Sequence, residues 1–313
     1  MRRYLTLDGG TTNTRIRLVC NGEIVDTLKI PKGARANMEE AGSLDTAVCE
    51  GISTILSRNS MTEKDIHRIL ASGMVTCEFG LCSLPHIIAP AGIRELHESM
   101  CERTLSHISS IPFVFIRGVR LSGESLEHAD MMRGEEVELI GMGGGEANTL
   151  YVLPGSHSKL ILTDAEGKIT DFSTMLTGEM IFALANSTIL KDAVDLSIDE
   201  VDEARLVQGY LYARKSGINE ALFKVRILKN LFGASPRECY SFFLGAVLAD
   251  EISAICTSPA LRVVIGGREQ IKNATRILLS HIECNKTLVL LTEEEVERST
   301  TLGMIQIYEY NVR

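Results

Sequence analysis

Residues 4–26 read YLTLDGGTTNTRIRLVCNGEIVD, and residues 149–171 read TLYVLPGSHSKLILTDAEGKITD. The two stretches start 145 positions apart, and sliding one onto the other lays Gly10 on Gly155, Thr11 on Ser156 and Ile16 on Ile161. Gly22 then falls on Gly167, Ile24 on Ile169 and Asp26 on Asp171. Each copy runs from an apolar strand through a glycine–hydroxyl turn into a second apolar strand, then through an Asn-Gly or Glu-Gly turn into a third. Glycine tolerates the positive φ that tight turns demand, so each copy reads as a β-meander. A repeat whose period is one domain long predicts a duplicated domain rather than a solenoid.

Working outward, strands alternate with helices. Val48, Ile52, Ile55 and Leu56 make a helical stripe over 44–58, and 66–71 and 112–116 read as buried strands. Ser235-Pro236-Arg237-Glu238 is a capping box with proline at the first helical position, and it predicts a long helix to about Ile255. A strand at 262–265 ends in Gly266-Gly267; a helix over 269–281, a strand over 287–291 and a last helix from Glu293 follow. This alternation predicts an α/β fold of two similar domains. Apolar periodicity stops over 117–128, which sets the expected domains at 1–118 and 119–292, with the last helix, 293–313, a candidate to rejoin the first. The 141–147 segment, GMGGGEA, lacks the preceding strand of a dinucleotide fingerprint and reads as a loop; no Walker A lysine motif occurs.

At 313 residues, 45% hydrophobic and 23% charged, the chain is ordinary globular material and not a disordered one. Lys plus Arg number 32 against 41 Asp plus Glu, a formal charge of −9 without a basic run, which argues against nucleic acid and anionic membrane as partners. No window supplies the roughly 20 apolar residues of a membrane span. Asp8 interrupts any signal-peptide core, so a cytoplasmic location is expected. None of the eight cysteines forms C-x-x-C, and thiols in a reducing compartment are expected rather than a disulfide framework or zinc site. Homo-oligomerisation is left open.

The turns carry the chemistry. In Asp8-Gly9-Gly10-Thr11-Thr12-Asn13 two glycines let backbone N–H groups converge into an anion-binding concavity, with Thr11 and Thr12 adding hydroxyls and Arg15 within reach. Asp8 cannot attract phosphate itself, but fits if Mg²⁺ stands between them. A plain hairpin with polar turn residues is the alternative. The second copy, with Gly155, Ser156 and Lys159, supplies a second cradle, and two facing cradles would grip one polyphosphate. Gly266 and Gly267 would let an adenine ring lie on bare backbone, or serve only a strand-to-helix turn.

Phosphate hairpin, middle Asp, second hairpin and adenosine glycines come in the motif order of the actin–hexokinase–sugar kinase superfamily. The resemblance narrows. DMMRGEEVELI at 130–140 resembles the D-V-M-R-G-E-E-T-Q block of the 2-dehydro-3-deoxygalactonokinase family. LYVLPGSHSK at 150–159 resembles its LYVMPGTHCKW, DFSTMLTGEM at 171–180 its DFRTVMTGEL, and ASGMVT at 71–76 its AGMVGS. Pro90-Ala91-Gly92 recurs as well, and the blocks keep their order over nearly the whole chain. The resemblance implies two ribonuclease H-like domains of actin/hexokinase type with a nucleotide cleft between them. It also implies phosphorylation of 2-dehydro-3-deoxy-D-galactonate at its 6-hydroxyl by MgATP, in galactonate catabolism. The family's Asp-Trp-Gly is Asp8-Gly9-Gly10 here, in a chain without tryptophan; Thr76-Cys77-Glu78 and the stretch 118–128 also depart from it.

In-line phosphoryl transfer to an alcohol needs a proton acceptor, and Asp130 takes that role by position, as in hexokinase-like enzymes. Its structural alternative is the N-cap of a helix starting at Met131. Arg133 suits the substrate carboxylate, or a salt bridge between domains. Glu135 suits sugar hydroxyls, Glu138 reads as solvated, and Thr177, Gly178 and Glu179 read as cleft lining or as a simple turn. His157 reads as a turn residue. Competing readings are a kinase of the same superfamily for another sugar or keto acid, and a non-catalytic ATP-binding switch.

Overall fold

The computed structural model describes residues 2–123 and 125–311, and these divide into two compact units. The first contains residues up to Ala147, the short stretch 163–171 and the chain from Glu294 onward. Its elements begin with β1 (Arg3–Gly9), β2 (Thr14–Cys20), β3 (Glu23–Ile30), α1 (Ala34–Glu39), α2 (Ser43–Arg58) and β4 (Arg68–Gly73). They continue with β5 (Ile87–Ile88), α3 (Ile93–Glu98), β6 (Cys101–Arg103), β7 (Phe113–Phe115), β8 (Val119–Arg120), β9 (Met131–Met132) and α4 (Glu135–Gly141). The meander is antiparallel and β4 and β7 join it in parallel, giving a six-stranded sheet in the order β3-β2-β1-β4-β7-β6. The α2 stripe of Val48, Ile52, Ile55 and Leu56 packs with Leu5, Leu7, Ile16, Leu18 and Ile69 into one core. Burying each such side chain is worth about 1.5–3 kcal/mol.

The second unit holds β10 (Thr149–Leu153), β11 (Ser158–Thr163) but for its last residue, β12 (Ile169–Met175) from Phe172 onward, α5 (Thr177–Ser187), α6 (Glu203–Ser216) and α7 (Ile218–Phe232). After them come α8 (Pro236–Val247), α9 (Ala249–Thr257), β13 (Arg262–Ile265), α10 (Glu269–His281) and β14 (Thr287–Leu290). Its sheet, β12-β11-β10-β13-β14, repeats the plan of meander plus parallel strands. The Ser235–Glu238 capping box forms as expected. The helix it opens is broken at Leu248, where α8 and α9 meet at 45°, and no proline or glycine at that point accounts for the bend. Among the described residues no single helix is long and apolar enough to cross a membrane. All eight cysteines are free thiols, buried or half-buried.

Two expectations are corrected. The division falls after Ala147, not after residue 118. The reason is pairing: Val119–Arg120 is sandwiched between Ile87–Ile88 and Met131–Met132 in a small sheet, which ties residues 119–132 to the first unit. The last helix, α11 (Glu293–Tyr308), also packs there. Arg17, only 1% exposed, donates to Thr301 Oγ1 at 3.0 Å and to the Glu297 carbonyl at 2.8 Å. Second, the repeat slips by one residue in its second strand. Leu7 pairs with Ile16 and Val152 with Leu160, so Leu160 rather than Ile161 is the partner of Ile16. A one-residue slip exchanges the two faces of a strand, so Lys159 and Ile161 stand where Arg15 and Arg17 stand in the first copy.

The duplication also extends further than the sequence slide showed. Gly33 lies just ahead of α1, and a Cβ there would sit 2.3 Å from the Gly10 carbonyl oxygen. Gly178, 145 positions on, lies in the first turn of α5, and its Cβ would sit 2.1 Å from the Gly155 carbonyl oxygen. Gly73 and Gly267 follow the parallel strands β4 and β13 in the same way; both have φ of +80°, and a Cβ would meet the carbonyl oxygens of Gly9 at 2.4 Å and Pro154 at 2.9 Å. Alanine at Gly33 or Gly178 would force backbone apart, and overpacking of this kind costs about 1–3 kcal/mol. Gly33→Ala and Gly178→Ala are therefore each expected to lower the unfolding free energy by that amount, read as a lower urea midpoint at unchanged m-value.

Candidate active site

In the first unit, β1 delivers Asp8 to the mouth of the hairpin, and Gly10, Thr11, Thr12 and Asn13 are exposed at its tip. The hairpin closes with the Gly10 N–H donating to Asn13 O at 2.8 Å, and Asn13 Nδ2 donates to Thr12 Oγ1 at 3.0 Å. The start of α1 holds the outer strand of the turn, with Ala34 N donating to Gly10 O and Arg35 N to Thr11 O. Gly9 is buried, and a side chain there would run into Val75 Cγ1 at 2.3 Å. Val75 thus fills the space that the family's tryptophan would need.

Asp8 faces Arg15 across the ladder, with Oδ2 3.9 Å from Nη1. Burial pushes its carboxyl above the usual range, while Arg15 and Arg17 pull it back. The reading of Glu138 as solvated is wrong. It is half-buried on α4, and its carboxyl is pushed up to about 8 by burial and then by the charges of Glu135 and Asp8, against Arg15. Spacing gave no hint of it, because Asp8 and α4 are far apart in sequence.

Asp130 is half-buried in the first unit, just before β9, and its Oδ1 accepts from Met131 N at 2.7 Å. The helix it was expected to cap does not start there. Met131–Met132 is a strand, and α4 begins at Glu135 behind Gly134. The capping alternative is thereby removed. Arg133 spends its guanidinium on its own chain, donating to Thr76 Oγ1 at 2.7 Å and to Leu84 O at 2.9 Å. Its backbone N–H donates to Glu135 Oε2 at 3.0 Å. Glu136 is buried and accepts from Gly134 N; burial and the charge of Glu135 push its carboxyl up to about 8.

In the second unit, Gly155, Ser156 and His157 are exposed at the hairpin tip. Lys159 is 5% exposed, and its Nζ donates to Thr174 Oγ1 at 2.5 Å. The first turn of α5 sits against the hairpin, with Glu179 N donating to Ser156 O at 3.0 Å and Glu179 Oε1 3.2 Å from His157 Nε2. Gly266 N donates to Val152 O at 2.9 Å, which sets Gly266 and Gly267 beside the root of the hairpin. A cavity of about 540 Å³ opens here. Gly155, Ser156, Thr177 and Glu179 are among the residues that line it, and Phe182 and Tyr240 are its aromatic lining. Thr177 and Glu179, expected at the sugar acid, are thus gathered with the second hairpin. Arg268, Phe182 and Tyr240 escaped the sequence reading, although Arg268 directly follows the two glycines. The volume is in the range of small-molecule sites.

The raised carboxyls have a consequence in pH. The folded protein holds protons on Glu136 and Glu138 that the unfolded chain releases near pH 4.3. Their contribution is fully present below that pH and is lost as pH climbs through about 8. The melting temperature should fall between pH 5 and 9, and Glu138→Gln should flatten that fall and melt above the parent at pH 9. A Gln variant with the parental slope would contradict this account.

A family model described as 2-keto-3-deoxy-galactonokinase matches residues 8–306. The 2-dehydro-3-deoxygalactonokinase of Escherichia coli (strain K12) is 29% identical over 249 residues, covering 79% of this chain and 77% of that protein. The crystal structure of a proposed 2-dehydro-3-deoxygalactonokinase protein from Sinorhizobium meliloti aligns with TM-score 0.76 and 20% identity over 98% of this chain and 96% of that one. The ligand-bound xylulose kinase from Lactobacillus acidophilus aligns with TM-score 0.53 and 11% identity, covering 100% of this chain and 90% of that one. The two structures bear on the fold alone, and they agree with duplicated α/β halves of actin/hexokinase type. With the expected blocks in place along a family match of nearly full length, the chain belongs to the 2-keto-3-deoxy-galactonokinase family of sugar-acid kinases.

Proposed function

We propose that the protein transfers the γ-phosphoryl group of MgATP to the 6-hydroxyl of 2-dehydro-3-deoxy-D-galactonate, giving 2-dehydro-3-deoxy-6-phosphogalactonate for galactonate catabolism in the cytoplasm. The observation that carries the nucleotide half is the cavity at the second hairpin, whose lining combines hydroxyls and glycine backbone with the aromatic rings of Phe182 and Tyr240. That combination suits a base and a polyphosphate on one ligand. Gly155, Ser156, Gly266 and Gly267 are assigned to the nucleotide, joined by Thr177 and Glu179. Gly9, Gly10, Thr11, Thr12, Asn13 and Arg15 are assigned to phosphate in the first unit. Lys159 is buried against Thr174, so its part is to hold β11 to β12 beneath the turn.

The transfer is a direct in-line displacement. The substrate's 6-oxygen attacks the γ-phosphorus, the bond to the β-phosphate oxygen breaks, and the hydroxyl proton passes to the Asp130 carboxylate. Asp8 would hold Mg²⁺. The fit is chemical: the charge of Asp8 is felt at the Glu138 carboxyl, whose proton affinity it raises, and hard oxygen donors of this kind suit the ion. The bound ion would neutralise phosphate charge. Glu135, close to Asp130 in sequence, is assigned to the sugar acid, and Arg133, whose guanidinium is held by Thr76 and Leu84, has the part of fixing the turn between them.

ADP release from MgATP by the purified protein should be fast with the galactonate-derived acid and slow with glycerol, hexoses or no acceptor. Asp130→Ala should lower kcat by about 10²–10⁴-fold and leave ATP affinity within about twofold. Turnover on another acid alone would redirect the substrate assignment. ATP binding with no acceptor-dependent ADP release on any acid or sugar would support a switch instead.

A further inference from the structure

The cavity at the second hairpin contains an amide whose orientation is set from outside it. Gln270, in the first turn of α10, is half-buried and lines the cavity. Its Nε2 donates at 2.6 Å to Oδ1 of Asp199, which is exposed and is not itself part of the lining. An ionised carboxylate has no proton to give, so the end of the amide that meets it must be the nitrogen, and the other end the oxygen. Among the described residues no hydrogen bond reaches that Oε1. Asp199 also acts on Tyr240, another lining residue: the phenol is buried, and burial and then the charge of Asp199 raise its proton affinity. One carboxylate thus stands beside both the amide and the ring, which places Gln270 and Tyr240 on the same side of the cavity. A flat base seated against Tyr240 has Gln270 at its edge.

The amide's orientation decides which base edge it can meet. Adenine offers an amino group at position 6, a donor; hypoxanthine and guanine offer an oxygen there, an acceptor. An amide held with its oxygen forward accepts from the amino group and sets oxygen against oxygen with the other two. A free glutamine would turn over and serve either edge equally well. The bond to Asp199 removes that freedom, and the negative charge of the carboxylate also disfavours a carbonyl oxygen nearby. Arg268, the cation in the lining, directly follows Gly267 and so belongs to the side of the hairpin root, where phosphate is assigned.

We propose that Gln270 reads the 6-amino group of adenine through Oε1, and that Asp199 is the positioning residue that keeps the amide from turning over. The inference rests on the nucleotide reading of this cavity and names the residues that select the base.

The test compares MgATP with MgITP, in which an oxygen replaces the 6-amino group, by calorimetric Kd and by KM with the galactonate-derived acid. The readout is the ratio between the two nucleotides, in which any loss common to both cancels. The parent should favour ATP at least about tenfold, since the wrong edge leaves a polar pair unmatched. Gln270→Leu and Asp199→Ala should each cut that preference at least about fivefold. Asp199→Asn, whose side-chain oxygen can still accept from Nε2, should keep it within about twofold of the parent. A parent that binds both nucleotides equally, a Leu or Ala variant with the parental ratio, or an Asn variant as unselective as Ala would each overturn the proposal and leave the nucleotide reading standing. A parent that binds neither nucleotide would overturn the nucleotide reading, and this proposal with it.

Discussion

Both candidate sites depend on a close approach of backbone to backbone. Gly33 against the Gly10 carbonyl and Gly178 against the Gly155 carbonyl bring the start of a helix onto the carbonyl side of each hairpin. The helix then spends its first N–H groups on the turn, at Gly10 and Thr11 in one copy and at Ser156 in the other. Two results follow. The turn is pinned without any side chain, so its tip can stay exposed and still be rigid. Carbonyl oxygens that would repel an anion are engaged from behind, and the same engagement leaves the turn's donors and hydroxyls as its outward face. Gly73 and Gly267 close the arrangement from the neighbouring parallel strand.

Electrostatics modifies what the formal charge of −9 suggests. That figure counts every acid as ionised, yet burial and neighbouring charge hold Glu136 and Glu138 up to about 8. Both acids are on α4, and Glu138 feels the charge of Asp8 at the first hairpin. A site for a polyanion gains from neutral carboxyls, which keep hydrogen-bonding capacity without repulsion. The cations divide in the opposite sense: Arg15 is part-exposed at the first hairpin, whereas Lys159 and Lys272 are buried on Thr174 and on Leu291 O.

Periodicity and turn chemistry carried most of the fold. Strands and helices that bury one regular face, such as the meanders, α2 and α10, announce themselves in a single window. The domain boundary did not, because two-residue strands like β8 and β9 have no periodicity to read and are defined only by their partners. The same blindness produced a helix at Met131 and a solvated Glu138. The first depended on three segments forming one small sheet, and the second on the return of α4 to β1. The glycine pair at 33 and 178 was legible, since it lies on the same 145-residue offset, but it falls beyond the stretch where side chains still match.

The two copies share one backbone solution and differ in what they bury beneath it. By strand pairing, Leu153, Lys159 and Ile161 occupy the places of Asp8, Arg15 and Arg17. Ile161 is fully buried and Arg17 is 1% exposed, so both places are core. An apolar side chain at the Arg17 place would contribute about 1.5–3 kcal/mol of burial. A guanidinium there must be desolvated, and its bonds to Thr301 and Glu297 only offset that cost. The second unit takes the apolar choice and opens a cavity beside its hairpin; the first takes the charged one. Stability alone does not favour Arg17 over an isoleucine. Its position two residues from Arg15, on the strand face that Asp8 shares, ties the charge to that carboxylate and hence to the proposed metal side of the reaction.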